Sequence, residues 1–249
     1  MLLLIDIGNT RIKWATFDRG TLDTQQAVPH ASWTLSECLT SFAALPLPKR
    51  VLVSNVGGER VADIVRSATS QCWGIHPEFM QSTATAGGIV NAYPEPAKLG
   101  VDRWLAMIAA FAEHSQALCV VGIGTAATVD GVTADGTHLG GLIVPGPDLM
   151  VGSLLRNTSE IARRAQQGTV GSGVFANNTF GAVHQGATHA VAALAERAVE
   201  SMKIQLGVQP LLILTGGASA EVGRHIRFPH VFTPDLVLRG LIVLAGERV

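Results

Sequence analysis

The sequence predicts an α/β protein built from two similar domains, divided near residue 115, with a cleft between them. Three observations predict it. Short apolar runs with strand character alternate with stretches of helical periodicity along the whole chain. The segment Leu4-Ile5-Asp6-Ile7-Gly8-Asn9-Thr10 can be laid over Val120-Val121-Gly122-Ile123-Gly124-Thr125-Ala126, 116 positions later, and each half opens as strand, glycine turn, strand. The length, 249 residues, suits one large domain or two of about 120 residues. The expected domains are 1–115 and 116–249.

Taken in order, Leu2-Leu3-Leu4-Ile5 reads as a buried strand, Asp6 to Thr10 as a turn, and Arg11 to Phe17 as an alternating second strand closed by Asp18-Arg19-Gly20. Arg50 to Val56 is a further buried strand and Glu59 to Gln71 a helix. Gly87-Gly88 and the pair Pro94/Pro96 mark a loop. From Val101 to about His114 the period becomes helical, with Leu105, Ile108, Ala109, Phe111 and Ala112 on one face. The second half opens with strand Leu118–Val121, turn Gly122–Thr125 and strand Ala127–Val132. A hairpin turn at Asp135-Gly136 leads to a strand over Gly140–Gly146. Helical segments follow near Asp148–Asn157, Ser159–Gln167 and Ala182–Leu206, and a last strand, Leu211–Leu214, runs into Thr215-Gly216-Gly217.

Composition excludes several classes. Hydrophobic residues are 47% and charged residues 15%, which rules out disorder, collagen and coiled coil as the main architecture. The net charge is −1 and no basic tail exists, so nothing recommends a nucleic-acid partner. The most apolar stretch, Ala117 to Ala134, is broken by glycines, threonines and Asp130, and no membrane span is expected. Met1–Ile5 is too short for a signal core and lacks a basic flank, so the expected compartment is the cytoplasm. Three cysteines without a CxxC pair argue against a disulfide framework. Eight histidines without HExxH or finger spacing read as ordinary surface or core residues.

The glycine turns are the chemically suggestive features. Phosphates need backbone N–H donors at close approach, and glycine permits that approach. Gly8 and Gly124 each follow a buried strand. Asn9, Thr10 and Thr125 add short donors, Lys13 adds a cation, and Asp6 adds a carboxylate of the kind Mg²⁺ shares with phosphate oxygens. A plain hairpin turn capped by Asp and Asn would read the same way for one turn alone. None of the four lysines follows a glycine, so a P-loop is absent. Gly122-Ile123-Gly124-Thr125-Ala126-Ala127 fits GxGxxA, but Thr128 to Val132 is not a helix, which argues against a dinucleotide site. A second constellation, Gly100-Val101-Asp102-Arg103, opens a helix. Asp102 reads as a natural N-cap. It also suits the carboxylate that orients and deprotonates an acceptor hydroxyl in phosphoryl transfer, with Arg103 to hold an anion.

Together, Asp6-Ile7-Gly8-Asn9-Thr10 with Lys13-Trp14, Gly100-Val101-Asp102-Arg103-Trp104, Gly124-Thr125-Ala126-Ala127-Thr128-Val129-Asp130 and Gly140-Gly141-Leu142-Ile143-Val144-Pro145-Gly146 resemble the type III pantothenate kinases over nearly the whole chain. The resemblance implies two ribonuclease-H-like domains of the actin-like ATPase kind. It implies transfer of the ATP γ-phosphoryl group to pantothenate, the first step of coenzyme A synthesis, by a homodimer using Mg²⁺ and a monovalent cation, K⁺ or NH₄⁺. By matching position, Asp6, Ile7, Gly8, Asn9, Thr10, Arg11, Ile12 and Lys13 would form the first phosphate loop, with Asp6 serving Mg²⁺ through phosphate or water. Thr125 would contact ATP, Asp102 would be the catalytic base, and Thr215-Gly216-Gly217 would lie by the adenosine. Gly100, Val101, Asp102, Arg103, Thr179 and Tyr93, the only tyrosine, would bind pantothenate, Thr179 from the second domain or the other protomer. One position departs from that family: where many members carry the Asp that ligates K⁺, this chain has Gly122, which implies weaker K⁺ binding or ligation by backbone carbonyls only. Two other readings share the fold. One is a kinase for another hydroxyl acceptor, such as a sugar, which the Gly100–Arg103 motif with Tyr93 disfavours. The other is a regulator of the Bvg accessory factor kind, which the retained Asp6, Asp102, Arg103 and Thr125 disfavour.

Overall fold

A computed structural model describes residues 1–171 and 173–247. The chain divides into two compact units, one formed by Met1–Ser115 together with the segment from Asp235 onward, the other by Gln116–Pro234. The expected second domain, 116–249, therefore gives up its C-terminal helix to the first unit.

The first unit contains strands β1 (Leu2–Ile7), β2 (Arg11–Asp18), β3 (Thr21–Leu22) and β4 (Gln26–Pro29), helix α1 (Leu35–Ala43), strand β5 (Arg50–Asn55) and helix α2 (Glu59–Trp73). Short strands β6 (Glu78–Phe79), β7 (Thr85–Ala86) and β8 (Ile89–Val90) and a 3₁₀ turn (Pro96–Lys98) lead to helix α3 (Val101–His114). The sheet order is β3-β2-β1-β5-β6, with β4 also on β2. β1 runs antiparallel to β2 and parallel to β5. It extends past the expected Ile5 because Asp6 and Ile7 still pair with Lys13 and Ile12.

Alternation along β1 sorts its side chains between two cores. Leu3, Ile5 and Ile7 pack with Phe42 of α1 and Val61 and Val65 of α2. Leu2 and Leu4 face the other way, onto Val101 and Leu105 of α3 and Leu238 and Leu241 of α8 (Leu236–Leu244). Burial of each such side chain is worth about 1.5–3 kcal/mol. Helix α8 is apolar on nearly every face, the pattern of a helix covered all round. α1 is set by a capping box in which Thr34 and Glu37 exchange bonds.

The second unit holds β9 (Leu118–Ile123), β10 (Ala126–Val132), β11 (His138–Pro145), α4 (Pro147–Asn157), α5 (Ser159–Arg164), α6 (Thr179–Leu206), β12 (Leu211–Thr215), α7 (Ser219–Gly223) and β13 (His230–Phe232). Its sheet order is β11-β10-β9-β12-β13, again with an antiparallel neighbour on one side of the central strand and a parallel one on the other. Val191, Ala195 and Val199 of α6 pack on Val121, Ile123 and Val129. α6 starts ahead of the expected Ala182 because the Asn178 side chain accepts from Gly181 N at 2.8 Å. Among the described residues no helix is long and apolar enough to cross a membrane.

Candidate active site

The pleat of β1 decides where its one charged side chain goes. Asp6 continues the row of Leu2 and Leu4, so it faces the α3 side of the sheet. Its direct ladder partners are Lys13 on β2 and Ser54 on β5, which share its face. Asp102 lies in the first turn of α3. Asp6 is 7% exposed. Burial pushes its carboxyl up from 3.8 to about 6; Lys13 opposes that shift and the Asp102 charge adds to it. Asp6 Oδ1 and Ser54 Oγ are both buried without a hydrogen-bond partner.

A buried carboxylate oxygen left open in this way fits a divalent cation. Among the described residues no three His, Cys, Asp or Glu side chains gather to cage a metal by themselves. Mg²⁺ suits such a place, since it is usually held by one or two carboxylates with the remaining ligands from water and substrate phosphate.

The turn after β1 is closed by Gly8 N–H donating to Arg11 O at 3.0 Å, with Asn9 and Thr10 exposed at its tip. Ile7 and Ile12 are fully buried in the core, so only their backbone is available to a ligand. The Arg11 guanidinium donates to Ala27 O at 3.2 Å. Ile7 O accepts from Val56 N at 2.9 Å and Gly57 N at 3.0 Å. A Cβ at position 57 would collide with the Gly8 carbonyl, so only glycine permits this approach.

Helix α3 begins at Val101, and Gly100 is its N-cap, with no side-chain cap bond. Asp102 is therefore the second residue of the helix rather than the N-cap that its residue type suggested. Its Oδ1 accepts from Arg103 N at 2.9 Å, and the helix N-terminus favours the charged form. Arg103 is buried, 6% exposed, and its Nη1 donates to Tyr93 Oη at 3.1 Å. Tyr93 is steadied through its own N–H, which donates to Asn91 Oδ1 at 3.0 Å. Val101 belongs to the core against α8.

In the second unit, Gly124 N–H donates to Ala126 O at 2.9 Å, and Thr125 is exposed in the turn while its carbonyl accepts from Gly146 N at 2.8 Å. Gly122 pairs with Thr128 and Thr215, so no carboxylate stands there. Thr179 is the first residue of α6, on a different element from Thr125. The structure thus brings Asp6, Lys13 and Asp102 together, with Arg103 and Tyr93 joined beside them. Sequence reading passed over Ser54, Gly57 and His30. Gly57-Gly58 directly after a strand was a usable signal for one of these. Ser54 and His30 carry no local signal, since only strand register places them.

The family model for type III pantothenate kinase matches residues 2–201. A type III pantothenate kinase from Nitrosococcus oceani is 35% identical, with 99% of this chain and 94% of that protein covered. Another, from Janthinobacterium sp. (strain Marseille), is 38% identical over 100% of this chain and 98% of its own length. Among solved structures, a Baf family protein from Campylobacter jejuni shares the fold with a TM-score of 0.60 at 21% identity, covering 98% of both chains. The two sheets described above are accordingly two ribonuclease-H-like domains.

The buried carboxyl of Asp6 makes a prediction that stands apart from any relationship. Its folded pKa of about 6 lies above the ordinary 3.8, so the group costs the fold nothing below about pH 4 and its penalty grows as pH rises through 6. Asp6→Asn is expected to stabilise the ligand-free protein at pH 8 by about 1–3 kcal/mol in urea unfolding, with the advantage gone near pH 4. Equal unfolding midpoints at pH 8 would contradict the burial argument.

Proposed function

The chain belongs to the type III pantothenate kinase family, and from that premise we infer that it transfers the γ-phosphoryl group of ATP to pantothenate, giving 4′-phosphopantothenate at the start of coenzyme A synthesis. The observation that carries the reading is the placement of two carboxylates, Asp6 and Asp102, on one face of the first sheet, close enough to raise the Asp6 pKa. They divide the labour. Asp102 sits in the first turn of α3, where the helix N-terminus favours the charged form, and acts as the base that takes the proton of the acceptor hydroxyl as its oxygen attacks phosphorus. Asp6, buried with an open oxygen, orients the phosphate end of ATP. Lys13 and the exposed tip of the turn at Asn9 and Thr10 bind phosphate oxygens, with Gly8 allowing their close approach, and Thr125 serves ATP from the equivalent turn of the second unit. Arg103, held by Tyr93, binds the pantothenate carboxylate as a fixed guanidinium, with Gly100 and Val101 shaping the helix start and Thr179 completing the acceptor site. When bound, Mg²⁺ supplies charge neutralisation at the phosphates, with Asp6 as the residue that would hold it. The place of work is the cytoplasm, and neither a nucleic acid nor a membrane is a partner.

Two finer points are part of the proposal. No side chain at Gly122 can ligate K⁺, so a monovalent cation is held weakly, by carbonyls. The protein works as a homodimer. β11 is a sheet edge that exposes Leu142 and Ile143, 47% and 61% accessible. Beside it, Met150, Leu154, Ile161, Val183 and Ala187 line an apolar groove between α4, α5 and α6. Exposed apolar side chains on an edge strand and an apolar groove in the same unit suit a second copy of the chain.

The deciding experiment incubates the protein with MgATP, pantothenate and NH₄⁺ or K⁺ and measures 4′-phosphopantothenate. Product is expected from the parent, with kcat about 10²–10⁴-fold lower for Asp102→Asn. A folded parent giving no product with either cation would overturn the reading. In the same assay, K⁺ dependence is expected to be shallow, with Na⁺ a fair substitute; tight, saturable K⁺ activation abolished by Na⁺ would refute the weak-site reading of Gly122. Light scattering of the parent is expected to give the dimer mass and of Leu154→Glu the monomer mass. A monomeric parent at micromolar concentration would remove the dimer.

A further inference from the structure

The turn expected to cradle phosphate is held from behind by a residue outside every motif. His30 follows β4 and is buried, 6% exposed. Its backbone N–H donates to Thr10 O at 3.2 Å. Its ring Nε2 lies 2.7 Å from Gly8 O. A carbonyl only accepts, so Nε2 carries the proton. One residue therefore engages two carbonyls of the turn. The His30 carbonyl in turn accepts from Arg60 Nη2, and Arg60 Nη1 donates to Trp33 O at 3.3 Å. Arg60 stands in the first turn of α2. A chain of contacts thus runs from α2 through Arg60 and His30 to Gly8 and Thr10.

The electrostatic consequence concerns direction. The carbonyl and N–H of a peptide point opposite ways, and a phosphate is attracted to the N–H and repelled by the carbonyl. Ile7 O is held by Val56 and Gly57, and Gly8 O and Thr10 O by His30. The Gly8 N–H is spent on Arg11 O, and with the Gly8 carbonyl held on the protein side the other half of that peptide, the Asn9 N–H at the exposed tip of the turn, is aimed away from the core toward the anion. We propose that His30 is a positioning residue for the nucleotide: it locks the carbonyls of Gly8 and Thr10 away from the phosphates and so sets the affinity for MgATP without touching the acceptor. The proposal rests on the reading of Asp6–Lys13 as the phosphate turn.

Two substitutions separate this from a general packing role. His30→Leu keeps the bulk and removes the ring donor. His30→Gln keeps a terminal N–H at similar reach. Affinity for the non-hydrolysed analogue Mg·AMP-PNP is measured by calorimetry on the full chain, alongside KM for ATP, KM for pantothenate and the melting temperature. For His30→Leu, the nucleotide Kd and the ATP KM are expected to rise about tenfold, the yield expected from losing one hydrogen bond, with KM for pantothenate within about twofold. His30→Gln is expected to recover most of the loss. If His30→Leu does not fold, Arg60→Met, at an exposed position, is read instead and is expected to weaken nucleotide binding about threefold. An unchanged nucleotide Kd in the variant read overturns the proposal. So do equal rises in both KM values, or a Gln variant no better than Leu. A parent that binds the analogue but makes no phosphopantothenate overturns only the function, because the nucleotide measurement needs no acceptor. A parent that binds no nucleotide overturns both.

Discussion

The first unit is organised around the burial of one carboxylate at the end of its central strand. Removing a charge from water is costly unless a partner compensates, and Asp6 is buried with one oxygen unsatisfied. Its neighbours follow from strand pairing alone. Register places Lys13 on one side and Ser54 on the other, and the pleat turns all three toward α3. Lys13 favours the charge, yet burial and the Asp102 carboxylate outweigh it. The buried Asp6 carboxylate therefore stores unfavourable electrostatics, a common condition of functional sites.

The second unit repeats the frame without the charge. Asp6 lies between Lys13 and Ser54, and Gly122 lies between Thr128 and Thr215 on the corresponding strands. The turns beyond both positions are closed by a glycine N–H, from Gly8 and from Gly124. Both carbonyls are also approached by another glycine, Gly57 and Gly146, where a Cβ would collide. Close backbone approach is thus common to both turns, whereas the carboxylate belongs to one.

Much of this was legible because it is local. Strand, glycine turn and strand around Asp6 and around Gly124 read directly, as did the start of α3, since each depends on period and on a few adjacent residues. The reassignment of α8 did not. Leu236–Leu244 has no polar face to orient it, and its place beside β1 depends on contacts more than two hundred residues apart in sequence. α1 was missed although its Thr34–Glu37 capping box was present, because the helix is short and buries only Cys38 and Phe42. Asp102 was read as a cap, but Gly100 takes that position and leaves the carboxylate two residues further in. Ser54 and His30 belong to no motif, and only register gives them a role.

The same logic explains why the buried carboxylate and the helix-borne one need different surroundings. Two carboxylates on one face disfavour each other's charge, so one must carry most of the penalty. Burial assigns that penalty to Asp6, the group whose open oxygen a cation would relieve. Asp102 is only partly buried, and the first turn of α3 supports its charge. In the proposed division of labour, a base must be ionised before the acceptor arrives, whereas a phosphate-side carboxylate can wait for its ligand. The fold separates these two requirements by putting one group on a strand and the other on a helix end. Arg103 follows Asp102 directly on the helix, so the guanidinium that Tyr93 holds is fixed in phase with that carboxylate. Moving either carboxylate by one residue would break the arrangement, because a one-residue step on β1 reverses the face and on α3 rotates the side chain by about 100°.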